Sequence, residues 1–187
     1  LKISEADIPG VLIFEPGVFS DDRGFFLETW RKQRYYDAGI SDSFVQDNVS
    51  VSQKGTLRGL HFQHPHGQGK LVQVLSGRVM DVAVDIRLGS ETFGRSVSMI
   101  LSGSNHKQMY IPPGFAHGFF VLSDSAIFSY KCTEYYNVSA EGGVIWNDPD
   151  LDIDWPIDNP VLSPKDAAYP RLKDIPHESL PHFGNIS

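Results

Sequence analysis

Apolar and polar residues along this chain alternate mostly with a period of two, in short runs cut by Gly, Pro, Ser, Asn and Asp. The pattern predicts strands over 24–30, 44–52, 57–63, 95–101, 107–111, 117–122 and 126–136, with two more across 70–86, broken at Ser76-Gly77. In the second of that pair Met80, Val82, Val84 and Ile86 alternate with Val79, Asp81, Ala83 and Asp85. Over 44–52, Gln46, Asn48 and Ser50 share one face, and Val45, Val49 and Val51 fall largely on the other. Two segments read differently. WRKQRYYDAG (30–39) predicts a short helix closed by Gly39. SPKD (163–166) reads as a helix start, with Ser163 as cap, Pro164 in the first turn and Asp166 three residues after the cap. The expectation is an all-β sandwich or barrel with short peripheral helices, and a loosely held tail over 176–187.

Length and composition narrow the class. The 187 residues suggest one domain spanning 1–187, its C-terminal tail starting near 170. A chain of this size buries enough surface to need no staples. Its 17 Gly and 12 Pro favour many short elements over long helices. The net charge of −7 argues against a nucleic-acid surface. No apolar run approaches the length of a membrane span, and the first residues are too polar for a signal peptide. The single cysteine, Cys132, allows no intrachain disulfide; it fits a reducing cytoplasm and reads as a core thiol.

Candidate chemistry concentrates in LRGLHFQHPHGQGK (57–70). His64 and His66 form an HxH pair, but Pro65 interrupts the strand and no carboxylate follows closely; His117 would be a distant third ligand. The expectation is loop histidines and no metal. His61, framed by Leu60 and Phe62, points into the core or into a cavity. Tyr130 sits between Phe128 and Cys132 on a face that also holds Glu134 and Tyr136, and a buried phenol needs a partner. Asp148, in WNDPDLDIDWP (146–156), either orients a histidine or makes an ordinary Asx-turn. His117 enters an apolar strand after a Pro-Gly turn. Arg23, Arg58, Lys70 and Lys165 stand in polar or glycine-bearing contexts and could jointly hold a diphosphate. Arg58 and His61 have opposite strand parity, so both can face inward only if Gly59 marks a bulge.

Several blocks in order, SDDRGFFLETW, QDNVSVSQKGTLRGLHFQ, GKLVQVLSGRVMDVAVDIRLGSETFG, IPPGFAHGFFVLSD, YKCTEYY and WNDPDLDIDWP, closely resemble the RmlC family of dTDP-4-dehydrorhamnose 3,5-epimerases, in the cupin superfamily. The resemblance implies a cupin-type jelly roll and epimerisation, without a cofactor, at the two carbons flanking the ketone of a dTDP-4-keto-6-deoxy sugar. It implies His61 as base paired with Asp148, Tyr130 as acid on the opposite face, and Lys70 at the enolate oxygen. Arg23, Phe26, Glu28, Gln46, Asp47, Asn48, Arg58, His117, Tyr136, Glu141 and Lys165 are the implied substrate-binding residues. It further implies a cytoplasmic homodimer that exchanges N-terminal strands. Rival readings are a 3- or 5-mono-epimerase, a ketoisomerase on the same scaffold, a metal-dependent cupin, and a non-catalytic sugar-binding module.

Overall fold

The computed structural model describes residues 1–184. Thirteen strands follow in chain order: β1 (Lys2–Glu5), β2 (Leu12–Glu15), β3 (Val18–Asp21), β4 (Gly24–Leu27), β5 (Gln46–Gln53), β6 (Leu57–Gln63), β7 (Lys70–Ser76), β8 (Arg78–Asp85), β9 (Ser96–Ser102), β10 (Gln108–Ile111), β11 (Phe115–Val121), β12 (Ser125–Cys132) and β13 (Glu141–Gly143). Helix α1 (Lys32–Tyr36) lies between β4 and β5, and α2 (Pro164–Ala167) lies beyond β13. One antiparallel sheet has the order β1-β2-β10-β7-β12-β5, and the facing one β13-β6-β11-β8-β9. Strands β3 and β4 form a separate hairpin.

Alternation explains how the two sheets close. Val72 and Val74 of β7, Phe128 of β12, Val79 and Ala83 of β8, and Phe115 and Phe119 of β11 meet in one buried cluster between the sheets. Phe119 and Phe128 stack across it with ring centroids 4.1 Å apart. The opposite faces are covered as well. Met80, Val82 and Val84 of β8 turn outward, against Leu151, Leu172, Ile175 and Leu180. Tyr35 of α1 and Ile40 pack with Phe14, Leu71 and Tyr110 on the other sheet. Both faces of β8 are therefore apolar, which is why it reads as a nearly continuous hydrophobic run.

Two expectations need correction, and a third is refined. The tail is not loose through Phe183. Leu180 and Pro181 are buried, Leu88 donates to Pro181 O at 2.8 Å, and Phe183 donates back to Leu88 O at 2.9 Å. Residues 185–187 lie outside the described residues. Strand β12 ends at Cys132, so Glu134 and Tyr136 leave the sheet in an irregular segment and do not share a strand face with Tyr130. On β5 the polar residues face in, and Val49 and Val51 face solvent, 63% and 62% exposed.

Candidate active site

At one end of the sandwich the two sheets enclose a cavity of about 250 Å³. Arg58 and His61 of β6 with His117 of β11 line it from one sheet; Lys70 of β7, Tyr130 of β12 and Ser50 of β5 line it from the other. Tyr136 and Glu141 complete the rim.

Strand parity explains most of this convergence. Leu60 and Phe62 pack into the outer cluster, so His61 between them must point between the sheets. Arg58 should then point outward, but the ladder slips. His61 pairs with His117, yet Arg58 pairs with Phe119, so three steps on β6 oppose two on β11. The slip centres on Gly59, at φ +121°, where a Cβ would lie 2.6 Å from Gly118 Cα and 2.7 Å from His117 O. Only glycine fits that approach. The bulge brings Arg58 to the inner side, and its Nε donates to Ser52 Oγ of the facing sheet at 2.9 Å.

The imidazole of His61 does not meet Asp148. Its Nε2 lies 2.6 Å from Oδ1 of Asp166, the third residue after the Ser163 cap. Burial works to raise the Asp166 pKa, but the His61 contact, the Ser163 hydroxyl and the Lys165 charge hold it below the usual aspartate value. An ionised Asp166 accepts from Nε2–H and leaves Nδ1 as the free nitrogen of the ring. Asp148 has different work. It is buried, its Oδ2 accepts from Leu172 N–H at 2.7 Å, and its Oδ1 accepts from Asp150 N–H at 3.0 Å. Of the two readings left open for Asp148, the Asx-turn is the one present.

The floor of the cavity holds a second, more deeply buried pair that sequence reasoning missed. His117 Nε2 lies 3.1 and 3.0 Å from the two oxygens of Asp81. Burial pushes the His117 pKa down against the opposing pull of Asp81. Burial likewise lowers Lys70, against the influence of Cys132, Asp81 and Glu141, and Lys70 makes no ion pair among the described residues. Burial raises the Tyr130 phenol, which therefore keeps its proton at neutral pH. The cavity thus presents a histidine oriented by a carboxylate, a protonated phenol on the facing sheet, and a buried lysine.

The rim is tied together by Glu141, which accepts from Tyr136 Oη at 3.0 Å and from Lys165 Nζ at 2.8 and 2.9 Å. Gln46 and Asn48 are joined at 3.1 Å on the inner face of β5, and Asn48 is the cross-strand partner of Tyr130. Asp47 turns to the other face, where both its oxygens bind Lys131 Nζ at 2.9 Å. Arg23, Phe26 and Glu28 are not brought to this cavity within the chain. Arg23 pairs with Asp21 at the β3–β4 turn, Phe26 is exposed, and Glu28 pairs with Arg34 at 3.1 Å. His64 and His66 do not join a ligand set; among the described residues no three His, Cys, Asp or Glu side chains converge as a metal site would require.

Comparison with known proteins finds relatives along nearly the whole chain. The family model described as dTDP-4-dehydrorhamnose 3,5-epimerase matches residues 5–174. The dTDP-4-dehydrorhamnose 3,5-epimerase of Shigella flexneri is 52% identical over 176 residues, 93% of this chain and 97% of that protein. The crystal structure of RmlC from Legionella pneumophila in complex with dTDP-4-keto-L-rhamnose superposes with a TM-score of 0.95 at 55% identity, covering 97% of this chain and 98% of that one. ChmJ, a 3'-monoepimerase from Streptomyces bikiniensis in complex with dTDP-quinovose, superposes with a TM-score of 0.85 at 36% identity, covering 90% and 86%. The two facing antiparallel sheets are those of a cupin-type fold, and the chain belongs to the dTDP-4-dehydrorhamnose 3,5-epimerase family.

Proposed function

We propose that this protein converts dTDP-4-dehydro-6-deoxy-D-glucose to dTDP-4-dehydro-L-rhamnose by inverting C3 and then C5, or the reverse order, through enolates. The observation that carries this reading is that His61 and Tyr130 stand on opposite sheets across one cavity. Inversion needs a base on one face of a carbon and an acid on the other. The C4 ketone makes the protons on C3 and C5 removable because the electron pair left behind is delocalised onto oxygen. His61 Nδ1 takes the proton, and Asp166 stabilises the imidazolium that forms. Lys70 holds the developing oxyanion, a charge absent from the ground state. Tyr130 returns a proton to the other face. His61 then carries one proton too many and Tyr130 one too few, and exchange with solvent resets both. Acid–base groups of this kind supply roughly 10²–10⁴-fold each.

The cavity, at about 250 Å³, suits a hexose ring better than a whole nucleotide sugar. The nucleotide then lies outside it, near Gln46, Asn48, Tyr136 and Lys165, where Arg58 and Lys165 offer positive charge. Arg23, Phe26 and Glu28 reach such a ligand from a second copy of the chain, whose β3–β4 hairpin crosses over in an exchanged homodimer. Phe19, Phe25 and Phe26 on that hairpin and the outward valines of β5 supply the apolar surface such an interface requires. A free buried thiol and a nucleotide-sugar substrate both suit the cytoplasm.

Proton NMR of the 4-keto sugar with the enzyme in D₂O tests the reaction. Deuterium at both C3 and C5, with the product trapped by a reductase as the L-rhamno sugar, is the expected result. Exchange at a single carbon would assign the chain to the mono-epimerases. No exchange at either would remove the base role of His61.

A further inference from the structure

Tyr169 takes no part in the mechanism above, yet its ring lies against the base. Strand β13 places Gly143 directly across the ladder from His61. With no side chain there, a slot opens beside the imidazole, and the Tyr169 ring fills it; a Cβ on Gly143 would sit 2.4 Å from Cε2 and Cζ of that ring. The ring approaches the imidazole edge-on, with centroids 5.8 Å apart and planes at 70°. Its backbone is pinned by the neighbouring bond from Ile145 N–H to Pro170 O at 2.8 Å. On its far side Tyr169 lines a second, outer cavity of about 620 Å³ with Phe62, Ile175 and Pro176, which His61 does not line.

The phenol hydroxyl has no evident job. It is enclosed and meets no partner at full hydrogen-bond geometry among the described residues, although the Lys165 ammonium is near enough to act on it. Burial, helped by Glu141 and Asp166 and opposed by Lys165, pushes its pKa up to about 12, so it does not release a proton near neutrality. The ring is what matters. The terminal torsion of a histidine is broad and roughly two-fold, so the imidazole needs lateral packing to keep one nitrogen on its carboxylate and present the other to a ligand. A hydrogen bond to a carboxylate also strengthens when water is kept away from it.

We propose that Tyr169 is a positioning residue for the base: its ring, seated on Gly143, fixes the plane of the His61 imidazole and screens the His61–Asp166 bond from the outer cavity. This rests on reading His61 as the base of the epimerisation.

Tyr169→Phe and Tyr169→Ala separate ring from hydroxyl, and Tyr169→Leu keeps apolar bulk on Gly143 should the alanine variant not fold. The imidazole tautomer of His61 is read by long-range ¹H–¹⁵N NMR in the substrate-free protein, beside kcat and KM. Tyr169→Phe is expected to stay within about twofold of wild type in kcat, with the Nε2–H tautomer intact, because it removes a hydroxyl that does not touch the imidazole and keeps the ring. Tyr169→Ala is expected to show mixed tautomers and a kcat lower by roughly 10–100-fold, with KM within about twofold, as for a misplaced but present catalytic group. An unchanged tautomer in Tyr169→Ala overturns the proposal whatever happens to kcat, and so does a loss of activity in Tyr169→Phe. If the wild-type protein failed to epimerise the sugar, the reading of the reaction would fall, while the substrate-free tautomer measurement would still decide the role of Tyr169.

Discussion

If Lys70 holds the enolate as proposed, its environment bears directly on how the reaction should depend on pH. It faces inward from β7 beside Val72 and lines the cavity without an ion-pair partner among the described residues. Burial lowers its pKa from the ordinary lysine value, and its acidic neighbours, Asp81 and Glu141 among them, only partly oppose that. The ammonium is the form that stabilises an enolate. As pH rises through the lowered pKa, that form is lost, so kcat should fall on the alkaline side earlier than titration of an exposed lysine would allow. Tyr130 is shifted the other way by burial and remains protonated over that range, so it does not set this limb. In a pH–kcat profile Lys70→Arg, which keeps its charge, should retain part of the activity and move the alkaline limb upward; a limb that stays put belongs to another group. Tyr130 was legible from the alternation of its strand, and Lys70 from its glycine-bearing context together with the family resemblance. Asp81 left the same kind of trace, since it shares parity with the core residues Val79 and Ala83, but an acid on a core-facing position means little until its partner is known. That partner, His117, is 36 residues away in sequence.

Long strands line the cavity, and one short element completes it. The single turn of α2 delivers two charged side chains at once: Asp166 to His61, and Lys165 to Glu141. Its start was readable in SPKD, and Ser163 does accept the Asp166 N–H at 3.1 Å, as a cap should. The capping pattern explained Asp166 so completely that nothing in the local sequence asked for a further partner, and His61 lies 105 residues earlier. The segment after β13 misled in the opposite way, because Asp148 beside proline and tryptophans offered a carboxylate with the right surroundings and the wrong position. The two acids should therefore separate in kinetics. Asp166→Asn should lower kcat by roughly 10²–10⁴-fold, since the base loses the carboxylate that orients it and stabilises its charge, while the melting temperature changes little. Asp148→Ala should leave kcat of the folded enzyme near wild type and cost about 1–3 kcal/mol of stability, because two backbone N–H groups lose their acceptor. Steady-state kinetics with thermal unfolding of both variants checks this, and the reverse pattern would return the role to Asp148.

At the scale of the whole molecule, two features fit the proposed second copy. On the edge strand β5 the polar residues point toward the cavity and the valines toward solvent, the inverse of a strand in a lone sandwich. The β3–β4 hairpin stands apart from both sheets, with Phe26 70% exposed. β1, β2 and β3 escaped sequence reading; β1 and β3 are exposed throughout, so no buried face marks them, and β2 offers only two buried residues, side by side. The β5 pattern was read correctly as an alternation, but an alternation does not say which face is inside, and here the polar face is the inner one. Exchange of hairpins in a two-fold dimer would put Arg23 of one copy at the His61 cavity of the other, so each site would be built from two chains. Arg23→Ala and His61→Asn homodimers should each be nearly inactive at low substrate concentration. Unfolded together and refolded as a mixture, half of the dimers would be mixed, and each mixed dimer would hold one site with both residues intact and one with neither. Activity should return to about a quarter of wild type. If Arg23 served its own chain's cavity, every site in the mixture would lack one residue and no activity would return, so the recovered rate reads directly which chain supplies the arginine.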